Sequence, residues 1–206
     1  IFDWDGTLAK TLDLWLEGYQ VSFHKRAHDF EPHEIVREFF TNHHDVPVRY
    51  PDMDFSVIAE ETRQHVFQGV AKVDLYDGVQ KTLAGLKNAG VTLSLVTSSA
   101  RHLLETGLHA HGLGESFVST LAGDDGYGHR PSPKPFEETL ERLGGSASET
   151  MIIGDSHVDV LAGQTIGCHT CWFAPQQNQI FHDFEQIRDV GADYEIADMR
   201  GLLELV

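Results

Sequence analysis

The chain has little cysteine, few basic residues and no long apolar run, and each shortage narrows what it is. Its 206 residues carry 15 Lys and Arg against 32 Asp and Glu, a formal charge of −17, with no basic stretch. A surface of that sign repels phosphate backbones and anionic headgroups, which argues against nucleic-acid and membrane partners. No apolar segment reaches the length of a membrane span, and neither a repeat nor a low-complexity tract appears. The two cysteines, Cys168 and Cys171, flank His169 and Thr170. Positions three apart on a strand face opposite sides, which works against a disulfide or joint ligation, and no second Cys/His pair completes a zinc motif. The histidines are scattered and read as solvated positions. No signal peptide is visible, so a cytoplasmic location is expected; Ile1 already reads as strand, which leaves targeting by preceding residues open.

What is there begins at the first residues. Ile1-Phe2-Asp3-Trp4-Asp5-Gly6-Thr7-Leu8 reads as an apolar strand that ends in two carboxylates and a glycine turn. Residues i and i+2 of a strand share a face, so Asp3 and Asp5 converge on one pocket while Gly6 lets the backbone leave. Alone, Asp-x-Asp-Gly is also an ordinary turn. A second acidic pair stands far downstream in Met151-Ile152-Ile153-Gly154-Asp155-Ser156-His157-Val158-Asp159, again at the end of an apolar strand. In a parallel sheet such strand ends meet at the carboxyl edge, where open α/β folds bind ligands. Clustered carboxylates repel unless a cation lies among them, and an oxygen-only donor set suits magnesium. His157, between the two acids, is placed to line the site without a catalytic role.

Two further signals lie between these pairs. Val91 to Ser99 reads as a strand ending in hydroxyls, with a helix from about Ala100 to Ala110. Thr97, Ser98 and neighbouring backbone N–H groups suit a phosphate, although a plain serine N-cap fits the same residues. His129-Arg130-Pro131-Ser132-Pro133-Lys134-Pro135 then brings two cations into a proline-stiffened loop ahead of a helix at Phe136 to Leu143.

In this order, the four segments resemble the motifs of the haloacid dehalogenase-like hydrolase superfamily, over nearly the whole chain. Within it, the sequence looks like the branch of phosphoglycolate phosphatases and β-phosphoglucomutases, which carry a helical cap between the first two motifs. The resemblance implies a Rossmann-like parallel α/β core, residues 1–9 and 77–206, with a helical cap over residues 10–76. It implies Asp3 as nucleophile and Asp5 as general acid and base, partly protonated when substrate binds through the crowding of other carboxylates. Magnesium would be held by Asp3, the Asp5 carbonyl and Asp155, with Asp159 an outer ligand or hydrogen-bond acceptor. Thr97 and Ser98 would meet the phosphate. The family's basic residue falls on Arg130 in the register Arg-Pro-Ser-Pro, and Lys134-Pro135 offers a competing register. Arginine holds phosphate through a planar fork and lysine as a point charge, so the replacement bears on orientation.

The implied activity is a magnesium-dependent phosphatase for a small phosphomonoester such as phosphoglycolate, a sugar phosphate or a nucleotide-like ester. Three alternatives remain. A mutase would return the phosphoryl group to substrate. A phosphonoacetaldehyde hydrolase, whose relatives share Arg-Pro at this loop, would need a Schiff-base lysine from Lys10, Lys25 or Lys72. A non-catalytic member would only bind a phosphorylated ligand or a partner protein.

In the cap region, Leu12, Trp15, Leu16, Tyr19 and Phe23 follow helical spacing, as do Ile35, Val36, Phe39 and Phe40, then Val57, Ile58, Glu61, His65 and Val66. They read as a small helical core. His43, His44, Arg49 and Tyr50, in a polar interruption, are candidates for substrate contact. Lys10 and Thr11 sit at the hinge, and Lys10 places a positive charge near the mouth of the pocket. Beyond the cap, helices at Val79 to Ala89 and Val158 to Thr165 alternate with strands at Phe117-Val118, Met151 to Ile153, Cys168 to Phe173 and Tyr194 to Ile196. That alternation argues for a parallel sheet covered on both faces.

Overall fold

A computed structural model describes residues 1–40, 45–128 and 132–205. The helical part comes first: α1 (Leu12–His24), a short α2 (Pro32–Ile35) that runs into a π-helical turn (Val36–Phe40), a short α3 (Val46–Arg49), and α4 (Phe55–Gly69). The α/β part follows: α5 (Val79–Asn88), β1 (Ser94–Val96), α6 (Arg101–Ala110), β2 (Ser119–Leu121), α7 (Lys134–Leu143), β3 (Met151–Gly154), α8 (His157–Ile166), β4 (His169–Phe173), α9 (Phe184–Val190) and β5 (Tyr194–Ile196).

Strands β1 and β2 pair in parallel, as do β3, β4 and β5. The N-terminal segment joins the two groups, because Phe2 bridges in parallel to Leu95 on one side and Ile153 on the other. Its backbone supplies the bonds: Phe2 N–H donates to Ser94 at 2.8 Å, and Asp3 N–H to Ile153 at 2.9 Å. The lateral order is therefore β2, β1, residues 1–3, β3, β4, β5.

Alternation along these strands separates two apolar layers. Phe2, Leu95, Ile153, Cys171 and Phe173 pack with Leu83, Leu86, Leu104 and Leu108 of α5 and α6. Ile1, Val96, Ile152 and Cys168 pack the other way, with Phe136 of α7 and Ala162 of α8. Period-two alternation in buried strands between two helical layers makes a doubly covered parallel sheet. Cys168 and Cys171 are both free and fall in different layers. Burial pushes the thiol of Cys171 up to about 12 and raises that of Cys168 as well.

The helical segment is inserted between two adjacent crossings. Lys10 N–H donates to Asp74 and Tyr76 N–H to Leu8, so the chain leaves and returns side by side. Its core is separate and aromatic: Phe23, Phe39 and Tyr19 stack with Phe30, Tyr50 and Phe55 around Leu16, Ile35 and Ile58. The strand read at Phe117-Val118 lies two residues further on, at Ser119–Leu121, because Phe117 turns into the apolar layer before the backbone pairs with β1. The helix read as starting at Phe136 begins at Lys134, with Pro135 in its first turn, where a missing N–H costs nothing.

Candidate active site

Two strand ends and the first turn of a helix converge on one spot. Asp3 follows the Phe2 bridge, Asp155 follows β3, and Asp159 lies in the first turn of α8. All three are buried, and one ligand atom from each lies within 4.8 Å of the others. Asp159 also accepts from the backbone N–H and the hydroxyl of Ser156, the latter at 2.8 Å, closing a capping box that locks α8 to the strand end. The approach demands glycine. A Cβ on Gly154 would run into the Asp159 carboxylate, and one on Gly6, held at φ +75°, would run into the Asp155 carboxylate.

Three buried carboxylates this close repel one another unless a proton or a cation compensates their charge. The donor set is oxygen only, which fits a hard divalent ion such as magnesium. Asp5 contributes no carboxylate to this cluster. Its side chain is turned the other way, and its expected crowd of carboxylates is a ring of neutral donors instead. Oδ1 receives the Thr11 hydroxyl at 2.7 Å and the Trp15 indole N–H at 3.1 Å. Oδ2 receives Thr97 at 3.1 Å and Ser99 at 2.6 Å. Two donors come from the start of the helical insertion and two from the end of β1. Trp15, read as part of the cap core, therefore has a second role at the site.

Asp155 is held from elsewhere. Its Oδ1 receives Thr7 at 3.3 Å, while Oδ2 meets His182 Nε2 at 2.7 Å and Asn178 Nδ2 at 3.4 Å. Its backbone carbonyl receives the Trp172 indole at 2.9 Å. Burial opposes a charged His182, but Asp155, by charge and by hydrogen bond, and Asp159 outweigh it, so the His182 pKa lies above its ordinary value. His157, half-buried, is shifted down by burial and by His182, against the pull of Asp159. Asn178 also donates to the Gly6 carbonyl at 2.9 Å and accepts from the Tyr76 hydroxyl at 2.5 Å. Burial first, then the Asp155 charge, raises the Tyr76 pKa.

The remaining candidates are distributed as follows. Thr97 is buried and also accepts the Ser99 N–H at 3.1 Å, whereas Ser98 is exposed. The plain serine cap is not made: Ala100 occupies the N-cap of α6, Ser99 turns to Asp5, and Asp124 takes the Arg101 N–H at 2.7 Å. Lys134 is exposed at the start of α7. Arg130, His43 and His44 lie outside the described residues. Arg49 is bound to Glu38, and Tyr50 packs against Phe30 and Phe39 in the aromatic core. Lys10 pairs with Asp77 at 3.5 Å and Lys25 with Glu61 at 3.5 Å, while Lys72 is exposed.

His182, Asn178 and Tyr76 are contacts that sequence reasoning missed. Asn178 sits in a 3-10 turn (Gln176–Ile180), with His182 just beyond it, and nothing in a stretch without apolar periodicity points back to a strand end.

A doubly covered parallel sheet with an acidic cluster at its carboxyl edge defines a class of ligand-binding α/β enzymes. The family model described as haloacid dehalogenase-like hydrolase matches residues 1–173. The chain belongs to the haloacid dehalogenase-like hydrolase family. The pyrophosphatase PpaX of Bacillus cereus (strain AH820) is 30% identical over 181 residues, 82% of this chain and 80% of that protein. Among solved structures, a "predicted phosphoglycolate phosphatase" of Haemophilus somnus superposes with a TM-score of 0.85 at 20% identity, covering 99% of this chain and 95% of that one. The hydrolase YfnB of Bacillus subtilis, bound to magnesium, has a TM-score of 0.74 at 21% identity, with 99% and 96% covered.

Proposed function

We propose that this hydrolase is a magnesium-dependent phosphatase that cleaves a small phosphomonoester through a phosphoryl group carried on Asp3. The observation that carries the reading is the trio of buried carboxylates, Asp3, Asp155 and Asp159, beside an Asp5 that points away from them onto four donors. Asp3, Asp155 and Asp159, with the Asp5 carbonyl, would hold magnesium, which would supply positive charge to the phosphoryl oxygens. The Asp3 carboxylate attacks phosphorus in line; its O–P bond forms as the ester P–O bond breaks, and Asp5 gives a proton to the leaving oxygen. Asp5, now a carboxylate, takes a proton from water as that water attacks the phosphorus, releasing phosphate and restoring Asp3. Thr97 and Ser98 flank the phosphate, and Arg130 or Lys134 supplies the positive charge that balances it.

Residues 10–76 are proposed to act as a cap over residues 1–9 and 77–206, excluding water and selecting substrate. Small soluble esters fit such a lid better than phosphoproteins. The relative named for pyrophosphate supports adding inorganic pyrophosphate to phosphoglycolate, sugar phosphates and nucleotides as a substrate to test.

The test is phosphate release from such a panel with and without magnesium, beside Asp3→Asn. Metal-dependent turnover that Asp3→Asn lowers by on the order of 10³-fold or more is the expected result. Turnover that appears only with an added bisphosphate would instead indicate a mutase. No release from any ester, with or without magnesium, would overturn the phosphatase reading.

A further inference from the structure

Residues 176–182 touch two things at once. On one side, Asn178 and His182 converge on Oδ2 of Asp155. On the other, Phe181, buried between them in sequence, leaves the α/β core and joins the apolar cluster of the insertion, with its ring stacked on Phe40 at 5.7 Å. Asn178 adds a second link to the insertion through Tyr76, the residue at which the chain returns to the core. Phe181 and His182 directly follow the 3-10 turn Gln176–Ile180, and the backbone N–H groups of both donate to the Asn178 carbonyl, at 2.9 and 3.2 Å, which ties the two residues to one point.

We propose that this segment is a strap that couples seating of the helical insertion to divalent-metal binding at Asp3, Asp155 and Asp159, with His182 as the positioning residue. The proposal rests on the metal-site reading above and goes beyond it. Thr7 holds one oxygen of Asp155, and His182 with Asn178 holds the other, so the plane of the carboxylate is set from two sides. Groups that orient a metal ligand in this way typically change metal affinity by about 10- to 100-fold when removed. Phe181 and His182 are adjacent and share the Asn178 carbonyl, so a backbone shift that unseats Phe181 from Phe40 carries His182 with it. Coupling of this kind is reciprocal: metal that needs an oriented Asp155 favours the seated strap, and a seated insertion favours metal.

The experiment measures Mn²⁺ affinity by titration calorimetry and electron paramagnetic resonance, on the full chain without substrate. His182→Ala is expected to weaken Mn²⁺ binding about 10-fold, and His182→Gln, which keeps an N–H at similar reach, to recover most of it. Phe181→Ala is expected to weaken binding in the same direction although it removes no polar group near the metal. Because truncating a buried ring can unfold a protein, Phe40→Ala approaches the same contact from the half-buried insertion side, and circular dichroism checks both variants. Hydrogen exchange gives a second readout: Mn²⁺ should raise protection across residues 36–40 in the parent and not in Phe40→Ala. A parent that binds Mn²⁺, with Phe181→Ala and Phe40→Ala folded and binding it equally well, overturns the coupling alone. A parent that binds no Mn²⁺ overturns the metal site and the coupling together.

Discussion

Asp5 and Asp155 stand at the ends of neighbouring strands, and their side chains are held by opposite parts of the chain. Asp5 is gripped by neutral donors, two from α1 and its entry and two from the end of β1. Asp155 is gripped by Thr7 and by a histidine and an asparagine from the distant segment after β4. Neutral donors fix the orientation of the Asp5 carboxylate without placing a charge beside it. His182 and Asn178 instead anchor one oxygen of Asp155 from a part of the chain remote in sequence. Two carboxylates of one pocket are thus held by different neighbours, which is the basis for the different tasks proposed for them.

Substitutions should separate the two. Asp5→Asn is expected to lower kcat by about 10²- to 10⁴-fold, the usual worth of general acid-base catalysis, while Mn²⁺ affinity by calorimetry stays within about 3-fold of the parent. Asp155→Asn should reverse the pattern and weaken Mn²⁺ binding by on the order of 10²-fold or more, since a ligand outweighs its supporting shell. An Asp5→Asn protein that loses metal as fully as Asp155→Asn would erase the distinction.

Gly6→Ala attacks the contact between the two strand ends. Left-handed backbone costs an alanine about 1–2 kcal/mol, and its Cβ would displace Asp155. A lowered melting temperature is expected, and added magnesium, expected to raise the melting temperature of the parent, should fail to raise that of the variant. Trp15→Phe is gentler. It removes a hydrogen bond to a carboxylate, worth about 1.5–3 kcal/mol, and should lower kcat by roughly 10-fold with metal affinity unchanged.

The smallest effect lies in the insertion. Arg26 and Ser22 hold the Glu61 carboxyl down from its usual 4.5 to about 2. A carboxyl whose folded pKa is depressed contributes stability above its unfolded pKa and loses it as pH falls through the folded value. Melting temperatures of parent and Glu61→Gln should therefore differ at pH 6, with the parent higher, and converge as the pH falls from about 4.5 toward 2. A gap that persists at pH 2 would mean the contact is not ionic.

The strand ends were legible because periodicity and composition agree there. Met151 to Ile153 is a short apolar run closed by Gly-Asp, and only a strand end satisfies both features; β5 falls on Tyr194–Ile196 as expected. Asp3, Asp155 and Asp159 could be placed together because a parallel sheet brings strand ends to one edge. Trp15 was misread in part, since helical spacing places its ring but says nothing of its N–H. His182 was missed because its partner is 27 residues away and its own surroundings follow neither a helical nor a strand period. Long-range polar contacts of a turn depend on tertiary packing, which local pattern does not encode. The helix α9 (Phe184–Val190) was missed with it, being only seven residues long.

The most direct test of the central claim is acid-quenched mixing of enzyme, magnesium and a substrate that turns over, followed by mass spectrometry of the peptides. The account predicts a phosphoryl group on the peptide containing Asp3, appearing within the first turnover and absent from Asp3→Asn. Steady phosphate release with no label on that peptide, or with the label on another residue, would contradict it.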